Sequence, residues 1–77
     1  MTDETQSFGE RAVGLTFNPS GDANVGLLKG LAAQFIDACH EARLGSDDPE
    51  VKRMYSVAIT EAQTAQMWGV KAATWRA

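Results

Sequence analysis

The 77-residue chain holds one cysteine, one histidine and two prolines, and each scarcity removes a class of answers. With Cys39 alone no intramolecular disulfide can form, and the composition suits a reducing compartment. One cysteine and one histidine cannot make a zinc site unaided. Cys39 and His40 are adjacent, so on a helix they project about 100° apart and make a poor nucleophile–base pair. Cys39 is expected in the core and His40 on a solvated face. No apolar run approaches the ~20 residues of a membrane span. The polar, acidic start "MTDETQSFGE" reads as neither signal nor transit peptide, so a cytoplasmic protein is expected. Glycine-rich phosphate loops and the HExxH pattern are missing, and "DDPE" lacks the spacing of a calcium loop. No catalytic residue, metal site or cofactor is therefore assigned. Positive charge is also short. A net charge of −3 leaves no cationic footprint for DNA or RNA. A small anionic ligand needs only two or three placed cations and stays open.

What is there is helical. Strand-like alternation does not occur, and two stretches of helical period are separated by "GSDDP". The reading is all-α: an N-terminal arm over 1–21, ending in the turn-rich "FNPSG", then an antiparallel two-helix hairpin domain over 22–77 with helices near 22–44 and 49–75. Ser20 or Asp22 can cap the first helix, and Gly45 suits a left-handed residue ending it. Asp47 with Glu50 forms a capping-box pattern for the second helix, with Pro49 in its first turn. Val25, Leu28, Ala32, Phe35, Ile36 and Cys39 make an apolar stripe that Leu27, Leu31, Ala38 and Ala42 widen to about half the first helix's circumference. One partner helix cannot cover that much. A chain this small buries only roughly 60% of its unfolded surface, so self-association into a homo-oligomer is expected.

The cations gather at one end. In an antiparallel hairpin turning near Ser46, position i lies beside roughly 93 − i, which sets Lys29 near Thr64 and Lys71 near Asp22. The two lysines are then ~10 Å apart along the axis. The arm brings Phe8, Arg11 and Phe17 to the same end. Convergent polar groups at an apolar cleft describe a small-ligand site. Lys71 also shares one helical face with Trp68 and Trp75. Competing structural roles exist for each. Lys71 and Arg76 complement a helix C-terminus, Lys29 can simply face solvent, and the tryptophans serve better as oligomer anchors than as stacking platforms.

The stretch "RAVGLTFNPSGDANVGLLKGLAAQFIDAC" followed by "AITEAQTAQMWGVKAATW" resembles the helical-hairpin domain of phage anti-CBASS cyclic-nucleotide sponges, a hairpin shared by anti-Thoeris sponges. The resemblance runs from Arg11 to Trp75 and is most specific at Thr60, Glu61, Gln63, Thr64, Met67, Val70, Lys71 and Ala72. It implies a non-enzymatic protein of the infected bacterial cytoplasm. Interlocked hairpins, a hexamer, would sequester cyclic dinucleotides such as cyclic GMP–AMP, or cyclic trinucleotides. By that resemblance Phe17 lies against the bases while Lys29 and Lys71 contact phosphates, with Arg11 and Thr64 completing the candidate set. The chain departs from the pattern in having Phe17 where tyrosine is frequent, and Lys71 where arginine, with its planar fork, is frequent. The competing reading is an oligomeric helical interaction module or scaffold without a nucleotide ligand.

Overall fold

The computed structural model describes residues 5–76, so the start of the expected arm (1–4) and the last residue of the expected hairpin (77) lie outside the described residues. Three helices follow in order: α1 (Phe8–Val13), α2 (Ala23–Leu44) and α3 (Pro49–Ala73). Among the described residues there is no strand. Helices α2 and α3 are the expected hairpin, antiparallel because Leu28 meets Gly69 near one end while Arg43 meets Ser56 near the other.

Helix α1 is new relative to the sequence reading, which assigned no helix within the arm. Its cause is local. Ser7 Oγ accepts from the Glu10 amide at 3.1 Å, and the Glu10 carboxylate accepts from the Ser7 amide at 2.8 Å. This reciprocal box satisfies two amides that the helix start would otherwise orphan. Gly14 ends the helix at φ 62°, a conformation that a Cβ would disfavour.

The remaining boundaries shift by small amounts. Asp22 is the cap of α2, accepting from the Asn24 amide at 2.7 Å, while Ser20 instead accepts from the Asp22 amide. Gly45 ends α2 at φ −83°, in the right-handed region, and not left-handed as expected. Asp48 caps α3 in place of Asp47, accepting from the Glu50 amide at 2.9 Å with Pro49 in the first turn. Glu50 turns away from the expected box to pair with Arg53 at 2.6 Å.

The core is narrow. Val13, Ala33, Ile36, Cys39 and Ile59 form it, with Phe8, Leu15 and Tyr55 packed around them. Cys39 is buried, as expected. His40 is not on a solvated face. Its ring stacks on Phe8 at 4.1 Å and 9°, and its Nδ1 lies 2.7 Å from Arg43 Nη2. The reason is α1, which brings Phe8 over that side of α2. Gly9 allows the approach: a Cβ there would collide with the Ala33 carbonyl oxygen, and the Gly9 amide donates to Asp37 at 2.6 Å. Gln63 then ties α3 to the Ala12 carbonyl at 3.3 Å.

Much apolar surface is left over. Leu27, Leu31, Phe35, Met67, Trp68 and Trp75 are each more than half exposed. A groove of about 610 Å³ between α2 and α3 is walled by Leu28, Leu31, Phe35, Ala58 and Ala62. Gln66 also lines it, and its Oε1 is buried without a hydrogen-bond partner among the described residues.

Candidate functional site

Lys29 stands two turns into α2. Helical side chains lean toward the N-terminus, so its ammonium reaches back to where the arm crosses. There it donates to the Gly14 carbonyl at 3.0 Å and to the Phe17 carbonyl at 2.6 Å. The residue is 6% exposed, and the only ion pair among the described residues is the remote Glu50–Arg53. A buried ammonium held by neutral oxygens has no carboxylate beside it among the described residues, an arrangement that is costly unless an anion arrives. The Phe17 ring lies 5.5 Å from the same nitrogen and is 71% exposed. Together they border a hollow of about 290 Å³ whose far wall is Val70 and Thr74 of α3.

Lys71 occupies a second place. Its ammonium lies 5.2 Å from the Trp68 ring and 5.9 Å from the Trp75 ring, with all three residues exposed. Hollows of about 280 and 340 Å³ flank it, the first reaching Thr64 and Met67, the second Ala72 and Trp75. The Thr64 hydroxyl donates to the Thr60 carbonyl at 3.2 Å, which leaves its oxygen able to accept.

The structure therefore pairs Phe17 with Lys29, and Thr64 with Lys71, but the two pairs share no hollow. The expected pairing of Lys29 with Thr64 is displaced. Leu28 sits against Gly69, four residues beyond the Ala65 that a turn at Ser46 implies, so Val70 and Thr74 take the place opposite Lys29. Residues 70 and 74 face the arm, while Trp68, Lys71 and Trp75 project from the next side of α3, about 100° round. Arg11 is exposed in the last turn of α1 and borders neither hollow.

Sequence reasoning missed Gly14, Val70 and Thr74 as site residues. Gly14 contributes a backbone carbonyl, for which no side-chain pattern exists. Val70 and Thr74 were recoverable from the correct helix register. Among the described residues no group of three His, Cys, Asp or Glu could hold a metal, and no helix is long and apolar enough to cross a membrane.

This arrangement offers an unopposed cation beside an exposed aromatic ring, and a second cation between two exposed indoles. Both suit a flat, anionic molecule. No curated protein matches the chain, and no solved structure does. A family model described as "Acb2/Tad1, hairpin domain" matches residues 10–74 and so takes in Phe17, Lys29, Thr64 and Lys71. The chain belongs to the Acb2/Tad1 hairpin-domain family, that of the anti-CBASS and anti-Thoeris sponges.

Proposed function

We propose that this protein is a non-enzymatic phage sponge that captures cyclic oligonucleotide messengers in the cytoplasm of the infected bacterium and so withholds them from CBASS effectors. The observation that carries this reading is the buried Lys29 ammonium, without a carboxylate partner among the described residues, 5.5 Å from the exposed Phe17 ring. A phosphate would meet the cation while a base stacks on the ring.

Magnitudes favour capture by an assembly over capture by one chain. Stacking contributes ~1–3 kcal/mol per base and a charge-assisted hydrogen bond ~1.5–3 kcal/mol. One half-site thus supplies about 2.5–6 kcal/mol, little beyond the ~4 kcal/mol or more that association costs. A twofold interface presents each group twice and roughly doubles the gain for a dinucleotide such as cyclic GMP–AMP, itself approximately twofold. The uncovered residues Leu31, Phe35 and Met67 and the groove around Gln66 are the surfaces that interlocked hairpins, six in the proposed assembly, would bury.

Lys71 and Thr64 supply phosphate contacts from the second hollow. A cyclic trinucleotide, with three phosphates, is the messenger for which that hollow is available without competition from the first. Arg11 borders neither hollow and reaches a messenger only across a subunit boundary.

Isothermal titration with cyclic GMP–AMP, followed by chromatography of the recovered ligand, tests the reading. Saturable heat with intact ligand supports a sponge. Absence of heat with cyclic di- and trinucleotides alike leaves a helical interaction module, and consumed ligand indicates an enzyme.

A further inference from the structure

Lys29 is the one charged side chain buried among the described residues, and its two hydrogen bonds go to the main chain. Their acceptors are not independent. The Gly14 and Phe17 carbonyls stand at the two ends of a single turn, closed by the Phe17 amide donating to the Gly14 carbonyl at 2.9 Å. Gly14 starts that turn at φ 62°. The ammonium therefore ties off the loop that carries the aromatic ring.

We infer that Lys29 is a positioning residue for Phe17: its bonds to the Gly14 and Phe17 carbonyls hold the arm so that the ring stands over the hollow, and its remaining N–H is left for the phosphate of the ligand. An ammonium has three donors and no acceptor, so two are spent on the arm and the third has no partner among the described residues. Those partners are neutral carbonyls, and no carboxylate among the described residues pairs with the ammonium at the place where the ring is displayed. One cation thus sets the arm's conformation and attracts the anion, and the two halves of recognition are coupled.

This rests on the sponge reading, but positioning has a readout that needs no ligand. Lys29→Met keeps the aliphatic stem while removing donors and charge. In the ligand-free protein, hydrogen exchange at the Phe17 amide should quicken at least tenfold in Lys29→Met, with the Ile36 and Ile59 amides unchanged. The second arm is a cycle with cyclic GMP–AMP as probe. Phe17→Ala should weaken binding about 5- to 150-fold in the wild type, the range that loss of one base stack gives. In the Lys29→Met background the same change should cost less than threefold, because the ring is already misplaced. A lysine that only touches phosphate would leave Phe17 exchange at its wild-type rate and make the two substitutions additive, and either result overturns the inference.

Should Lys29→Met also expose Ile36, Gly14→Ala replaces it. That change strains the turn while retaining the ammonium, and it should quicken Phe17 exchange and weaken capture at least tenfold. Wild-type exchange and capture in Gly14→Ala would overturn the inference. If the wild type binds neither this probe nor other cyclic di- and trinucleotides, the sponge reading fails, and the exchange arm still decides whether Lys29 positions the arm.

Discussion

Gly9→Ala sets two known effects against each other. Alanine in a helix is favoured over glycine by about 1 kcal/mol, which alone would stabilise α1. The opposing cost comes from where Gly9 stands. An added Cβ would meet the Ala33 carbonyl oxygen and lie 2.9 Å from Asp37 Oδ1. The first obstacle is helical backbone and cannot rotate away, so overpacking should cost ~1–3 kcal/mol. If α1 retreats instead, the 2.6 Å bond from the Gly9 amide to Asp37 is lost, a charge-assisted bond that contributes ~1.5–3 kcal/mol. Either route matches or exceeds the propensity gain, for a net loss of up to about 2 kcal/mol. Domains of this size have roughly 4–12 kcal/mol in all. The assay is urea unfolding at fixed protomer concentration, with hydrogen exchange at Val13 to separate release of α1 from global loss. The expected result is a lowered midpoint and unprotected Val13 while Ile59 stays protected. A midpoint equal to or above that of the wild type, with Val13 still protected, would refute the reasoning that α1 is docked through this contact.

Lys71→Glu should leave stability within about 2 kcal/mol, since each of its two exposed cation–π contacts contributes ~0.5–1 kcal/mol. It should abolish the share of cyclic-oligonucleotide binding that depends on the second hollow, and titration at wild-type strength would remove Lys71 from the site. Gln66→Leu should lower the assembled fraction in sedimentation at a given concentration, because the buried Oε1 that lacks a partner in one chain is expected to find a donor on another. Unchanged sedimentation would take Gln66 out of the interface. The hydrogen bond from Arg53 holds the Glu50 carboxyl below its ordinary value of 4.5, an effect larger than the opposing one of desolvation. A depressed folded pKa stabilises above the unfolded pKa, so this contribution should be complete above about pH 4.5 and fade as pH falls through the lower folded value. Acid unfolding of the wild type and Glu50→Gln should therefore converge toward low pH, and a constant offset would count against the pair.

The hairpin was legible because Asp22, Gly45 and Pro49 punctuate long periodic segments, and their chemistry acts over one turn of chain. Helix α1 was not, since six residues are too few to show a period, although Ser7 and Glu10 carried the capping pattern. Its omission explains the misplacing of His40, whose environment is made by Phe8 of α1. The register slipped because the facing pairs are centred nearer Asp48 than Ser46, with Leu28 against Gly69 and Arg43 against Ser56, which moves every partner on α3 several residues on. Phe17, Lys29, Thr64 and Lys71 were all singled out from the sequence, but their division between two hollows depends on that register. What Lys29 bonds to was beyond reach, because main-chain carbonyls look alike at every position until the chain is folded.

Both tryptophans of the chain lie within 6 Å of one ammonium, that of Lys71. The protein's entire indole emission therefore originates beside a single charge, and an anion that neutralises or displaces it would alter the spectrum. Occupation of the Phe17–Lys29 hollow, which no indole borders, would leave that emission unchanged. The molecule thus carries its own optical label for one hollow and none for the other, so a fluorescence titration beside a calorimetric one would tell which of the two a given nucleotide fills.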